Sequence, residues 1–303
     1  VFLFLIYLKI DKNSIYLNGI KYKEVFVMET IYYIILGIIQ GIVEALPVSS
    51  SGHLLIANHL LVNFLGFNDV ALSNTELLAI ITNFGSLIAI IILYFHDIVD
   101  IIRDFVKYLK SKDNKYYVNY KYGLFIILAT IPAGIIGLII SKLGIFDALN
   151  DNIKIIGITL FVTGLFLFWI RKANGKKKKE DITIGDAMTV GGFQVLGLLP
   201  GISRSGSTIV GGLYKGLDRI TAFDFSFMLY IPISIATTIL GINDLFGSNI
   251  ATSQILYFLL SAFIAGIFTY ISVKWFRNII KNGKLIYFAI YCFIAATMIL
   301  LFL

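Results

Sequence analysis

Glu44 and Arg204 are ionisable residues set in apolar surroundings, each beside a run of hydroxyls. The first segment holds Gln40, Glu44, Ser49, Ser50, Ser51 and His53; the second holds Ser203, Arg204, Ser205, Ser207 and Thr208. Gln40 and Gln194, Ser49 and Ser203, Ser51 and Ser205, and Gly52 and Gly206 all lie 154 positions apart. At bilayer depth an ionised group costs roughly 2.5–3.5 kcal/mol. Glu44 and Arg204 together would cost about 5–7 kcal/mol, comparable to a domain's net stability of roughly 5–15 kcal/mol. A carboxylate, an imidazole, hydroxyls and a guanidinium around one anion site suit phosphoryl transfer or hydrolysis. The guanidinium offers a fork matched to phosphate oxygens.

The elements that must position these groups are membrane helices. The chain has 303 residues, 58% of them hydrophobic and 14% charged, with a mean hydropathy of +0.88. Soluble domains carry roughly 25% charged residues. Long unbroken apolar runs indicate helices rather than the short alternating strands of a barrel. The net charge of +7 reads as basic cytoplasmic loops, and no nucleic-acid partner is expected. Six runs are long enough to span: 77–95, 123–141, 154–171, 223–241, 254–275 and 284–303. The segments 31–63 and 185–214 differ, each being broken near its middle. Leu46 precedes Pro47 and Leu199 precedes Pro200, which biases both out of the helical region. Each segment is therefore expected to form a re-entrant helical hairpin, with its irregular backbone shielded by protein.

The order of hairpin, three spans, hairpin, three spans gives an odd number of crossings per half. The halves would be related by an inverted-topology repeat whose hairpin tips meet near the midplane. The repeats are set at 28–172 and 173–303, behind an extension, 1–27, to which no function is assigned; Met28 is a candidate start. Basic residues place the 96–122 loop, the 171–184 loop and the 276–283 turn in the cytoplasm. The 242–253 loop has no Lys or Arg and is expected outside, so the first hairpin enters from outside.

Within the first hairpin, Gln40 and Glu44 are four apart and share a helix face. The serines at each break supply caps and hydroxyls, and two half-helix N-termini facing one cavity form an anion site. Plainer roles compete with these. Glu44 and Arg204 could be a structural ion pair. Ser49, Ser51, Ser205 and Ser207 could satisfy freed backbone groups. His59 and His96 have no polar company and read as interfacial, and Cys292 reads as packing.

The segment Gln40–His53 resembles the signature of bacterial undecaprenyl-diphosphate phosphatases of the bacitracin-resistance type, as does Pro200–Thr208. The resemblance runs from about Met28 to the C-terminus. It implies a multi-pass enzyme of the bacterial cell membrane that hydrolyses a polyprenyl diphosphate to the monophosphate and inorganic phosphate. It places the family's motif glutamate, serine, histidine and arginine on Glu44, Ser50, His53 and Arg204. It also implies a divalent cation, Mg²⁺ or Ca²⁺, at Glu44; Gln40 stands where relatives carry a second carboxylate. On this reading Glu44 holds the cation or water and His53 shuttles the proton. Either Ser50 or water attacks. Ser49, Ser51, Ser203, Ser205 and Thr208 contact phosphate. The rival readings are a polyprenyl-phosphate transporter or flippase of the same architecture, and a phosphate-lipid sensor without turnover.

Overall fold

A chain this apolar must satisfy its backbone polar groups within each segment, and helices do so. In the computed structural model, residues 16–17, 20–65, 75–144, 152–247 and 252–303 are described; side chains are described for 27–63, 77–144, 152–241 and 254–303. Most of the 1–27 extension lies outside these residues. Its described part is a two-residue antiparallel strand pair, β1 (Tyr16–Leu17) with β2 (Ile20–Lys21), running into the first helix.

Eleven α-helices follow among the described residues. The first hairpin is α1 (Tyr22–Ala45) and α2 (Ser50–Leu65). Next come α3 (Thr75–Leu93), α4 (Phe95–Ser111), α5 (Tyr117–Lys142) and α6 (Ile153–Ile170). The second hairpin is α7 (Ile184–Leu196) and α8 (Arg204–Tyr214). The chain ends with α9 (Arg219–Gly247), α10 (Thr252–Lys281) and α11 (Ile286–Phe302).

The protein is an all-α, multi-pass membrane protein. Five helices are long and apolar enough to cross a bilayer: Val27–Ala45, Asn114–Lys142, Ile153–Ile170, Arg219–Gly241 and Gln254–Lys281. The pair Leu77–Leu93 and Phe95–Ser111, bent by 72°, makes a sixth if counted as one span. The expected 284–303 span is the 17-residue helix α11.

Three loop assignments need correction. The 96–122 stretch is helical over most of its length. Its charges suggest a loop, but Ile98, Ile101, Ile102, Phe105 and Leu109 fall at helical spacing, making α4 an amphipathic helix that lies steeply across α3. The 276–283 turn is shorter than expected, because α10 runs to Lys281 before turning at Gly283, where φ is +71°. In the 242–253 loop, 242–247 continues α9, and residues 248–251 lie outside the described set.

Several of the main helix pairs exchange with one another when 28–172 and 173–303 are interchanged. Helix α1 packs on α10 as α7 packs on α5; α3 packs on α10 as α9 packs on α5; α3 meets α9, and α6 meets α11. The two hairpins meet at their tips, where Ser205 Oγ donates to Leu46 O at 3.2 Å. One buried core, including Leu46, Val48, Leu87, Ile209 and Phe225, runs through both halves.

Candidate active site between the two hairpins

Each hairpin tip is built by the same local device. In the first, Ser49 caps α2: its Oγ accepts from Gly52 N at 3.4 Å, and His53 N donates to Ser49 O at 3.2 Å. In the second, Ser203 caps α8: its Oγ accepts from Gly206 N at 3.0 Å, and Ser207 N donates to Ser203 O at 2.8 Å. The two capping hydroxyls approach Ser51 Oγ at 3.4 Å and Ser205 Oγ at 3.3 Å respectively. Ser49 adopts φ +69°, a left-handed conformation disfavoured for any residue with a Cβ; such strained positions gather at functional sites. In the second tip the left-handed residue is Gly201, φ +85°, where a Cβ would lie 2.0 Å from Thr159 Oγ1. Thr159 Oγ1 donates to Pro200 O at 2.6 Å, and Thr163 Oγ1 accepts from Ser203 N at 3.1 Å, so α6 clamps this tip from behind.

Ser50 and Arg204 are thus the first residues of two helices whose N-termini face one cavity of about 300 Å³. Glu44 and Arg204 meet in it. Arg204 Nη2 donates to Glu44 Oε1 at 2.5 Å, with side-chain exposures of 19% and 5%. Gln40 Nε2 donates to the other oxygen, Oε2, at 2.9 Å. The guanidinium lies over the Tyr230 ring, 4.0 Å from its centroid, a cation–π contact that holds its plane. Gly197 permits this arrangement, since a Cβ there would come within 2.6 Å of Arg204 Cα. Among the described residues five buried side-chain polar atoms lack a hydrogen-bond partner; Arg204 Nη1 and Gln40 Oε1 belong to this cluster, and the others are both amide atoms of Gln194 and Ser207 Oγ. A second anchor ties the hairpins together, Ser205 Oγ donating to Leu46 O at 3.2 Å.

Among the expected residues, the structure brings Gln40, Glu44, Ser49, Ser50, Ser51, Ser203, Arg204 and Ser205 to the cavity wall. His53 and Thr208 are not part of that wall. His53 Nδ1 lies 2.7 Å from Ser49 O, which places a proton on Nδ1, and Nε2 lies 2.6 Å from Tyr291 Oη, whose O–H it accepts. Its ring stacks on Tyr291 at 5.6 Å, and no His53–Ser50 hydrogen bond forms. Thr208 Oγ1 is held by Ser226 Oγ at 2.6 Å and Arg204 O at 3.0 Å.

Sequence reasoning missed Asn83, Ser234 and Thr237, which complete the wall, and Tyr230 beneath the guanidinium. A polar Asn83 in an otherwise apolar span was a usable signal. Nothing in the sequence marks Tyr230 among 17 tyrosines.

Among the described residues no three His, Cys, Asp or Glu side chains gather as a metal site. A magnesium-type cation needs only one or two carboxylates with waters and substrate phosphates. Glu44, with the unpartnered Gln40 Oε1 beside it, supplies hard oxygen donors of that kind.

A family model described as "Bacitracin resistance protein BacA" matches residues 33–298. Undecaprenyl-diphosphatase 1 of Bacillus licheniformis is 41% identical over 272 residues, covering 90% of this chain and 97% of the relative. Undecaprenyl-diphosphatase 2 of Bacillus thuringiensis is 38% identical over 283 residues, covering 91% and 100%. Undecaprenyl-diphosphatase 1 of Halalkalibacterium halodurans is 37% identical over 273 residues, covering 89% and 95%.

Proposed function

The chain belongs to the bacitracin resistance protein BacA family, and from that premise we propose that it hydrolyses undecaprenyl diphosphate in the cavity between its hairpins. The products are undecaprenyl phosphate and inorganic phosphate. Water oxygen forms a bond to the terminal phosphorus, the bridging P–O bond breaks, and the lipid phosphate leaves. The reaction returns the cell-wall lipid carrier to use, which is the activity behind the family's bacitracin resistance.

The observation that carries this reading is Arg204. One arm of its fork is engaged by Glu44, and the other, Nη1, is buried and unpaired at the start of a helix. Leaving a charged donor unsatisfied in a buried site is costly, and a phosphate oxygen would satisfy it. The α2 and α8 N-termini add dipole and N–H groups favouring the same charge. Arg204 therefore binds the terminal phosphoryl group and stabilises the charge developing on it. A divalent cation at Glu44 and Gln40 would neutralise diphosphate charge when bound. Ser50, first in α2 and on the cavity wall, orients the phosphoryl group or the attacking oxygen. With both His53 nitrogens engaged elsewhere, Ser50 lacks a base, which favours water as nucleophile over Ser50. His53 acts on the tip by holding Ser49 O. We read 28–172 and 173–303 as the two repeats, supported by the exchange of packing pairs, with the cavity opening outward.

Phosphate release by purified protein given undecaprenyl diphosphate, with and without chelator, tests the reading. Release that chelation suppresses supports it. No release, with the lipid still bound, would favour the transporter or sensor.

A further inference from the structure

A polyprenyl diphosphate needs two environments, and the second lies along α5. An apolar groove of about 370 Å³ runs between α4, α5 and α9, lined by Ile98, Phe105, Gly123, Ile127, Met228 and Ile235 among others. It holds no polar side chain. Helix α9 stands between the groove and the anion cavity: Ile231 and Pro232 line the groove on one face, and Ile233 and Ser234 line the cavity on the other.

Helix α5 connects the two. Gly123, Ile127, Thr130, Gly134 and Gly137 follow one another at spacings of four and three, so they form one stripe along the helix. The stripe begins in the groove. At Gly134 a Cβ would meet nothing within 4 Å, and at Gly137 its nearest neighbour would be Leu198, at 3.7 Å. Leu198 lines the anion cavity. The α5 stripe thus reaches from the groove beneath α4 to Leu198 at the cavity. The equivalent helix pair in the other half, α3 with α10, is closed: a Cβ on Gly85 would fall 1.9 Å from Ala262 O, and Thr269 Oγ1 donates to Ser86 Oγ at 2.8 Å. A larger apolar groove of about 730 Å³ lies outside that pair. On α3, Asn83 of the cavity wall accepts from Tyr230 Oη at 2.8 Å, and Ile80 packs against Gly241.

We propose that the prenyl tail of the substrate leaves the cavity past Leu198, runs along the Gly134 stripe of α5 and lies in the groove roofed by α4. This rests on the diphosphatase reading for the identity of the head group. An anion cavity and an apolar groove joined by one helix stripe, whose single hydroxyl, Thr130, is turned back to Ile126 O at 2.8 Å, fit one amphiphile better than two separate ligands.

Gly134→Leu projects into open space, so it should fold while obstructing the stripe. The ratio of kcat/KM for the C55 diphosphate to that for farnesyl diphosphate should fall about tenfold, through KM. An unchanged ratio overturns the proposal. A binding measurement settles the matter without turnover: p-benzoylphenylalanine in place of Ile235 should capture radiolabelled C55 diphosphate, displaced by unlabelled C55 diphosphate. The same photoprobe at Phe263, in the α3–α10 groove, should capture at least about tenfold less. Equal capture at both sites, or capture at Ile235 that is not displaced, would mean bulk membrane lipid occupies the groove. Failure of phosphate release with specific capture intact would count against the diphosphatase reading alone.

Discussion

Replacing Arg204 separates catalysis from structure, because the residue serves both. Its Nη2 is bonded to Glu44 Oε1 at 2.5 Å, and the Glu44 side chain is only 5% exposed. Arg204→Ala leaves that carboxylate buried with Gln40 as its remaining hydrogen-bond partner. Breaking one side of a buried pair costs about 3–5 kcal/mol, so the variant should be markedly less stable. Activity should fall for a different reason, loss of the arm aimed at phosphate. An arginine so placed is worth about 10³–10⁵ in rate, or roughly 4–7 kcal/mol. The double variant Glu44→Gln/Arg204→Ala has no unpaired charge and should recover most of the stability without recovering turnover. Arg204→Lys can still pair with Glu44 but presents a point charge in place of a fork. It should unfold near the wild-type temperature yet lose at least about 10²-fold in turnover. Thermal unfolding and phosphate release, measured on the same detergent-purified protein, give both readouts. If Arg204→Lys keeps turnover within about threefold of wild type, or the double variant regains activity with stability, the guanidinium is structural and the mechanism is wrong.

Three other outcomes are expected. Gln40→Glu replaces the Nε2 donor to Glu44 with a second carboxylate, so activity should survive with saturating Mg²⁺ or Ca²⁺ but become more sensitive to chelator; a folded, inactive variant at saturating cation would contradict the assigned cavity electrostatics. Gly197→Ala pushes a methyl within 2.6 Å of Arg204 Cα and should lower turnover by about tenfold or more, whereas Gly192→Ala, which meets nothing within 4 Å, should not; equal behaviour would remove the argument for a close approach. Cysteines at Asn152 and Lys178, both exposed, in a Cys292→Ala background should label oppositely with an impermeant thiol reagent, Asn152 in intact cells and Lys178 after lysis; the reverse would invert the topology.

The parts of the fold legible in the sequence are those where local chemistry conflicts with an apolar setting. Pro47 and Pro200 stop α1 and α7 within a few residues of the expected breaks. Glu44 and Arg204 are conspicuous because charge is expensive there, and they prove to be each other's partners. Helix α4 was obscured by its charges: counting Lys and Asp marks a loop, whereas the 3.6-residue spacing of its apolar face marks an amphipathic helix. The site was legible in composition more than in direction. Ser50 and His53 are three residues apart, and one helical turn separates them, but the side chain of His53 is drawn to Tyr291, 238 positions away. Only tertiary packing decides that, as it decides that Tyr230 lies under Arg204.

The 154-residue correspondence is informative where it fails. It pairs Glu44 with Leu198, Ser50 with Arg204 and His53 with Ser207. A strictly symmetric cavity would set two carboxylates, or two guanidiniums, against each other at membrane depth, with nothing to offset either. Here one hairpin contributes the anion and the other the cation, and the bond between them crosses the boundary of the two halves, as does the bond from Ser205 to Leu46. A rocking transporter would have to part these groups each cycle, exposing unpaired charges in apolar surroundings at about 3–5 kcal/mol. Hydrolysis asks for no such separation. It needs a fixed guanidinium with one arm free, and the loss of symmetry between the hairpins leaves Arg204 in that state.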